Sequence, residues 1–427
     1  MEGTTCARCG ARSELDYGYA RQPLSGRVLC APCWERENVQ GLGAFVLLLV
    51  ALPFGLGLLS GRVPDVVPLL WPVAVLPVLY ALVAAHEAGH ALVAHLVGLR
   101  VPLVSIGVGR RLLSFRLGPS RIDLHAVPLS GFAVVGHAGT EGLRWRRSLV
   151  LAAGPLVNLA VAGAGAGLGA PGGFVLLNLV LFGISIMPFK AETPFGPQRT
   201  DGLALWWLPR ATAAEVDELV ADSYAVEATV AYQDGRYRDA WQWATDGLEL
   251  HPGSHILAGV LGAALIGLGR YREAVDLYAA QLERPDASPE HRAMHQNNLA
   301  WAALMSADLE LLPDALAASE AAHRTLPWMP CVNGTRGFAL ILAGEVTTGA
   351  ELVRTAFLRE KDRRNRATMA CELAIAAARQ RRGGEATDLM SQARRLDAGC
   401  PLLPRAEQEV QGAAQVTGTS ASGSSSR

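Results

Sequence analysis

The residues best suited to chemistry are two histidines and a glutamate inside an apolar stretch of the chain. His86, Glu87 and His90 form the pattern His-Glu-x-x-His. On an α-helix the two histidines lie four residues apart on one face, so both can bind one metal ion with Glu87 beside it. A zinc ion held in this way lowers the pKa of a bound water, and the glutamate accepts the proton as general base. The spacing therefore predicts a zinc hydrolase site.

The segment that carries these side chains has the composition of a membrane helix. Residues 66–99 are apolar apart from Glu87 and three histidines. As a helix they would extend about 50 Å, longer than the hydrocarbon core of a bilayer at about 30 Å. Ionisable side chains in such a helix are costly unless they are paired or bound to an ion. Hydrogen bonding of His86 and His90 to neighbouring helices is the alternative to the zinc that we favour.

A second group of metal-binding residues lies near the N-terminus. Cys6 and Cys9, followed by Cys30 and Cys33, form two Cys-x-x-Cys knuckles. Four thiolates in this arrangement hold a structural zinc, which can fold a segment too short for a core of its own. Two disulfides are the alternative, but the other three cysteines are scattered, which suits a reducing compartment. We therefore predict a cytosolic zinc ribbon over residues 1–40.

The composition favours a membrane protein. Half of the 427 residues are hydrophobic and 18% are charged. Residues 1–210 hold 17 basic and 11 acidic side chains, whereas residues 211–427 hold 21 and 28, so the two halves nearly cancel to the net charge of −1. No run of like charge is long enough to indicate nucleic acid as a main ligand.

The apolar runs predict about four membrane spans. Residues 41–60 form the first, residues 66–99 form the motif helix, and residues 148–189 divide into two more. Eight arginines lie within residues 100–147, which places this segment and both termini on the cytoplasmic side of the cell membrane. Short runs broken by Gly, Pro and Ser favour strands over residues 101–136. The predicted fold is mainly α, a polytopic membrane bundle with a small membrane-associated β region.

Three motifs resemble those of the site-2 protease family of intramembrane zinc metalloproteases. They are His86-Glu-Ala-Gly-His90 continuing to Gly98-Leu-Arg-Val101, then Ala152-Ala-Gly-Pro-Leu-Val-Asn158, and then Thr200-Asp201-Gly202 after an apolar helix ended by proline. The resemblance implies that residues 41–210 form a protease domain and that Asp201 is the third zinc ligand. Two departures are Ser185, where the family usually has Asn, and a longer spacer before Asp201. An ordinary turn or helix cap at Thr200 is the alternative.

The same resemblance implies where substrate binds. In the site-2 family a stretch similar to residues 101–136 forms a membrane-associated β-hairpin whose edge takes substrate as an added strand. Gly131 and Phe132 in that stretch, and Asn158, are the substrate-binding candidates. The physical reason is that a peptide bond inside a helix is hidden by its own hydrogen bonds, whereas an edge strand supplies partners for an extended segment. A plain β-cap on the helix bundle is the alternative.

The second half of the chain contains an internal repeat. The sequences Gly235-Arg-Tyr-Arg-Asp-Ala240 and Gly269-Arg-Tyr-Arg-Glu-Ala274 are 34 residues apart. This period is typical of tetratricopeptide repeats, in which two amphipathic helices stack into an α-solenoid that binds proteins or peptides. We predict about five such units over residues 211–411, with a protein or peptide partner, although they could merely cap the protease. Residues 412–427 are rich in Gly, Ser, Thr and Ala, which predicts a disordered tail.

Together these patterns predict a zinc-dependent intramembrane endopeptidase that cuts single-span membrane proteins near their cytosolic end. It would sit in a lipid bilayer and carry one catalytic Zn²⁺, with His86, His90 and Asp201 as ligands and Glu87 as base. The four N-terminal cysteines would hold one structural Zn²⁺. By resemblance, such cleavage follows a first cut and releases a cytosolic regulator. The alternative is a membrane-anchored scaffold that acts through its repeats and keeps a protease fold without turnover.

Overall fold

The computed structural model describes residues 4–13, 19–21, 26–34, 36–37, 66–137, 139–191 and 198–422. The first predicted membrane span, residues 41–60, lies outside them. The chain divides into two compact units. One consists of residues 18–234 and 249–252, and the other of residues 1–17, 235–248 and 253–427.

The described part of the predicted zinc ribbon contains two pairs of short antiparallel strands, and residues 31–34 and 36–37 are helical. Strand β1 (Thr4–Thr5) pairs with β2 (Arg12–Ser13), and β3 (Tyr19–Arg21) pairs with β4 (Val28–Cys30). Each knuckle follows or ends a strand, so the backbone of these strands fixes where the thiols lie.

The His-Glu-x-x-His motif lies on a long helix, α1 (Val66–Leu96). The helix ends at Gly98, which has a φ of +76° that favours glycine. Two long strands follow, β5 (Arg100–Leu117) and β6 (Ser120–Gly136). Apolar side chains of α1 and the strands pack into one cluster that includes Val83, Ala94, Leu99, Val101, Val104 and Ile106.

The pairing of β5 and β6 places four segments side by side. Val104 pairs with Ala133 on one side and with Ile122 on the other, and Phe115 also pairs with Ile122. The order of segments is therefore 131–136, 100–106, 121–124 and 113–117. Within the described residues, no strand pairs with the outer edge of residues 131–136. The predicted β region is thus a small sheet with a free edge strand.

Two more apolar helices and a short one complete the part of the fold that carries the predicted protease site. They are α2 (Leu143–Gly167), α3 (Gly172–Ile186) and α4 (Asp201–Trp207), with β7 (Lys190–Ala191) and β8 (Gln198–Arg199) paired between the last two. Two described helices are long and apolar enough to cross a membrane, over Leu76–Leu96 and Leu143–Gly167. Helix α3 is apolar but shorter. The predicted count of four spans is therefore not confirmed.

Helix α5 (Ala213–Gln233) begins with a capping box in which Thr212 and Glu215 satisfy each other's backbone N–H groups. It belongs to the same compact unit as the β sheet. The reason lies in charge pairing. Arg121, whose side chain is 7% exposed, donates to Asp234 Oδ1 at 2.9 Å, and Arg100 donates to Glu227 Oε1 at 2.8 Å.

The repeat unit is an array of helices in which sequential neighbours pack against one another. Its core is rich in alanine, which allows close helix contact. The array confirms the predicted solenoid. Its last helix is described as far as Ser422. The helices are α6 (Tyr237–Leu250), α7 (His255–Gly267), α8 (Tyr271–Leu282), α9 (Pro289–Ser306), α10 (Leu312–Thr325), α11 (Pro330–Leu342), α12 (Val346–Arg359), α13 (Arg363–Arg379), α14 (Gly383–Leu396) and α15 (Leu403–Ser422).

Candidate metal centre

Three predicted zinc ligands converge on one point. The Nε2 atoms of His86 and His90 lie 3.1 Å apart, and Asp201 Oδ2 lies 3.4 Å from the first and 3.5 Å from the second. Ligand atoms about 2.0–2.1 Å from a tetrahedral zinc are about 3.3 Å from one another. The observed triangle therefore fits a zinc ion with one position left for water. The structure brings together all three residues that the sequence predicts.

Hydrogen bonds from helix α2 hold the two imidazoles. His90 Nδ1 lies 2.6 Å from the carbonyl oxygen of Val150, so it donates there and leaves Nε2 for the metal. The Asn158 amide lies 3.0 Å from His86 Nδ1, and Asn158 Oδ1 is buried without a partner among the described residues. Oxygen and nitrogen of an amide are assigned from their neighbours. With the amide turned by 180°, Oδ1 accepts from Nδ1–H of His86, as a metal at Nε2 requires.

This position differs from the predicted substrate-binding role of Asn158. The side chain is 2% exposed, and its described contact is with a zinc ligand. Sequence reasoning missed this positioning role because the two residues are 72 positions apart. Small residues allow α2 to pack closely against α1. A Cβ added to Gly89 would lie 2.8 Å from Val157, and one added to Gly154 would lie 2.6 Å from His86 Nε2.

Two described segments of the spacer before Asp201 pair with each other. Strands β7 and β8 are antiparallel, and the backbone N–H of Thr200 donates to the carbonyl of Phe189 at 3.2 Å. Thr200 then caps α4 by accepting from the backbone N–H of Leu203, and its hydroxyl donates to the carbonyl of Met187 at 2.7 Å. Gly202 lies so close to the carbonyl of Ile186 that no side chain fits there. The cap and this contact together fix Asp201 at the first turn of α4.

Glu87 lies between the metal ligands and the edge of the β sheet. It is 4% exposed, and its carboxylate accepts a hydrogen bond from the backbone of Ala133. A Cβ on Gly131 would lie 2.6 Å from Glu87 Oε1. Among the described residues Glu87 Oε2 has no hydrogen-bond partner, so this oxygen is available to a reactant. Of the predicted substrate-binding pair, Gly131 thus lies beside Glu87, and Phe132 is 53% exposed.

The cysteine knuckles also come together. The sulfur atoms of Cys6, Cys9, Cys30 and Cys33 all lie within 4.8 Å of one another, and none of the four is in a disulfide. Two disulfides, the alternative left open by the sequence, are therefore absent from this cluster. Four converging thiols fit a closed structural zinc site.

Comparison with known proteins gives relatives of two kinds. Zinc metalloprotease Rip1 of Mycobacterium tuberculosis (strain ATCC 25618 / H37Rv) is 38% identical over 93 residues, which cover 18% of this chain and 23% of that protein. Rip1 of Mycobacterium bovis matches to the same extent. The chain thus spans about a quarter of the length of these curated relatives. Among solved structures, TTC0263, a thermophilic TPR protein in Thermus thermophilus, has a TM-score of 0.36 and 19% identity over 45% of this chain and 99% of that one.

The family match is broader than these pairwise alignments. The profile described as Peptidase family M50 matches residues 74–366, a stretch that contains all three predicted zinc ligands and Glu87. It confirms the resemblance that the three motifs show. The chain therefore belongs to peptidase family M50.

Proposed function

We propose that this chain is a zinc-dependent intramembrane endopeptidase of the site-2 type, which cleaves membrane-spanning proteins. The main support is the position of His86, His90 and Asp201 around one point beside Glu87. Both histidines and Glu87 lie on α1, a helix long and apolar enough to cross a bilayer. A buried carboxylate and two buried histidines in such a helix are costly unless they serve a site of this kind.

The chemistry divides between the metal and the chain. A bound zinc supplies a polarised water that ionises near neutral pH. Glu87 Oε2 is the proton acceptor, since the Ala133 backbone occupies the other side of the carboxylate. The same oxygen then donates the proton to the leaving amine. Val150 and Asn158 keep the two imidazoles in the tautomer that leaves both Nε2 atoms free.

The free edge of residues 131–136 is the surface that we assign to substrate. Cleavage requires an extended peptide, and an edge strand offers hydrogen-bond partners to backbone groups freed from a helix. Gly131 brings this edge against Glu87, so an added strand lies beside the general base. The exposed ring of Phe132 offers an apolar contact to a membrane-spanning segment. Gly131 and Phe132 are therefore the substrate-binding residues that we propose.

Arginine and tryptophan side chains on both sides of Asp201 support a catalytic site near the cytoplasmic surface of the cell membrane, in a multi-pass protein. Arg199 lies over the ring of Trp207 at 4.1 Å and Arg210 over that of Trp206 at 4.6 Å. Tryptophan and arginine pairs of this kind are common at the membrane interface. With the arginines of residues 100–147 also cytoplasmic, both termini face the cytosol, and cleavage releases a cytosolic fragment as in regulated intramembrane proteolysis.

The repeat unit is the part that we assign to partner recognition. Stacked helix pairs form a continuous surface that commonly binds proteins or peptides. We propose that this surface recruits a protein or peptide partner of the protease, while the cysteine cluster holds a structural zinc.

The test uses the full chain in lipid vesicles with a tagged single-span substrate. Glu87→Gln should retain zinc at the centre and lower the cleavage rate by about 100-fold or more, because it removes the proton acceptor. Glu141→Gln is the matched control, since Glu141 is exposed and lies away from the ligands. Undiminished cleavage by Glu87→Gln would refute the assignment of the base.

The scaffold alternative makes a different prediction for metal content. With the four N-terminal cysteines replaced, replacing His86 and His90 as well should remove about one further zinc per chain from a protease. Less than that, together with no cleavage by the unaltered chain, would favour a membrane-anchored scaffold that acts through its repeats.

A further inference from the structure

Three histidines from two helices meet inside the repeat unit, away from the predicted sites. His255 begins α7, and His291 and His295 lie four residues apart on α9. The ring centre of His255 is 5.4 Å from that of His291 and 5.8 Å from that of His295. No local sequence pattern joins them, because His255 is far from the other two in the chain.

We propose that His255, His291 and His295 form a further transition-metal site, for Zn²⁺ or another divalent cation that prefers imidazole ligands. Imidazoles bound to one tetrahedral metal have ring centres about 5 Å apart, given bonds of about 2.0–2.1 Å. The separations of the His255 ring from the other two, 5.4 and 5.8 Å, are somewhat longer, so the rings must turn toward a common point before their nitrogens can bind one ion. This site would connect successive helix pairs of the solenoid, and it is independent of proteolysis.

The burial of His295 is the second observation. Its side chain is fully enclosed, with 2% of the residue exposed, and neither ring nitrogen has a hydrogen-bond partner in the described part of the chain. A buried polar group without a partner is costly, so natural proteins rarely leave one. The Tyr278 ring packs 5.8 Å from that of His295, and the Tyr278 hydroxyl donates to the Gly259 carbonyl at 2.8 Å. Tyr278 is therefore a wall of the cluster, and a metal ion would satisfy His295.

The other two histidines have a nitrogen available as well. His291 Nδ1 lies 3.2 Å from the Ser288 hydroxyl, which leaves its Nε2 for a ligand. Neither ring nitrogen of His255 has a described hydrogen bond, although its Nε2 lies 3.6 Å from the carboxylate of Asp286. The His255 and His291 rings stack at 24°, so ligation requires a ring to turn about χ2, a broad torsion of low cost.

Arg284 and Arg292 lie near His295. The two arginines are themselves engaged. Arg284 donates to the Asp286 carboxylate at 2.7 Å, and Arg292 donates to the Leu282 carbonyl at 2.7 Å. Asp286 thus offsets part of their charge and stands near the open side of the cluster.

The experiment measures zinc per chain in the full-length protein after equilibration with excess Zn²⁺ and removal of unbound metal. Replacing both His255 and His291 by Gln should lower zinc content by about one equivalent per chain. The catalytic and cysteine centres are common to every variant, so they cancel in the difference. His295 is left in place so that the packing around this fully buried side chain is the same in every variant.

His323→Gln is the control, because His323 lies in the same unit but hydrogen-bonds to Asn333 at 2.8 Å. It should keep the zinc content of the unaltered chain. A second measurement follows thermal unfolding, in which added Zn²⁺ should raise the midpoint of the unaltered chain more than that of the double variant. Equal zinc content in the double variant and the unaltered chain, or an equal loss in His323→Gln, would overturn the proposal.

Discussion

The chain carries two pairs of histidines spaced four residues apart on a helix, and their surroundings differ. His86 and His90 have each Nδ1 engaged by a group on α2, and a carboxylate completes the set of ligands. In the repeat unit, His291 is oriented by a serine, but His295 has no described hydrogen-bond partner at all. Both imidazoles of the His86 and His90 pair are therefore oriented by hydrogen bonds, whereas in the His291 and His295 pair only His291 has a described hydrogen bond.

The four-residue spacing therefore identifies candidate metal ligands, whereas the hydrogen-bond partners of the imidazoles determine the metal affinity. Outer hydrogen bonds fix the tautomer and orientation of a ligating histidine, and their loss typically lowers metal affinity about 10–100-fold. We therefore expect tight binding at the His86 and His90 centre and weaker, more readily exchanged metal in the repeat unit.

Gly154→Ala should have the largest effect on this comparison. The added Cβ would lie 2.6 Å from His86 Nε2 and would also clash with His90, where the metal must bind. We expect loss of zinc from this centre and loss of cleavage, with the zinc of the repeat cluster unchanged. Zinc analysis of the full chain and the vesicle assay measure both.

Gly163→Ala provides the matched control for that change. Gly163 lies on the same helix, and a Cβ there meets nothing within 4 Å. It should keep both zinc and activity. If Gly154→Ala binds as much metal as Gly163→Ala, the proposed position of the ion between the two imidazoles is wrong.

Gly131→Ala tests the role of Glu87, the proposed general base, without altering the zinc ligands. Its Cβ would lie 2.6 Å from Glu87 Oε1, so either the carboxylate or the edge strand must move. A displacement of about 1 Å can lower kcat about 100-fold, whereas the zinc ligands are untouched. Gly139→Ala, where a Cβ meets nothing within 4 Å, should behave like the unaltered chain. Loss of zinc from Gly131→Ala would show that the edge strand supports the ligands rather than the base.

Asn158→Leu would leave His86 without a hydrogen-bond partner at Nδ1, so that the His86 and His90 centre resembles the histidine pair of the repeat unit. Without the amide, His86 loses the partner of its Nδ1, and we expect zinc affinity to fall about 10–100-fold in competition with a chelator. Asn158→Asp should retain affinity because a carboxylate accepts from Nδ1–H at least as well. If Leu and Asp give the same affinity, Asn158 contributes only packing.

Much of this arrangement could be predicted from local sequence. The His-Glu-x-x-His motif, the two cysteine knuckles and the 34-residue period each place their residues within one or two adjacent elements. Helical or turn geometry alone then brings the side chains together. Asp201 could be identified as a ligand only through the family resemblance, because its position depends on the pairing of β7 with β8 within the spacer.

The remaining features depend on packing between distant segments. Ala133 approaches Glu87 through its backbone, which carries no residue signature. Asn158 was identified as a site residue but given a different partner, since only the crossing of α1 and α2 reveals His86. The assignment of α5 to the same compact unit as the β sheet depends on the ion pair of Arg121 with Asp234, 113 residues apart. Such pairs are invisible in a single sequence.

The smallest expected effect tests whether His295 truly lacks a partner. In the presence of a chelator that removes zinc from every variant, His295→Leu should change the free energy of unfolding by less than about 1 kcal/mol, or raise it, because an apolar group of similar volume replaces an unsatisfied one. His323→Leu should instead cost about 1–3 kcal/mol, since it leaves Asn333 Oδ1 without its hydrogen bond. Denaturant unfolding of the repeat unit within the full chain measures both. A loss at His295 as large as that at His323 would mean that its ring nitrogens are already satisfied, and the contrast between the two histidine pairs would then fail.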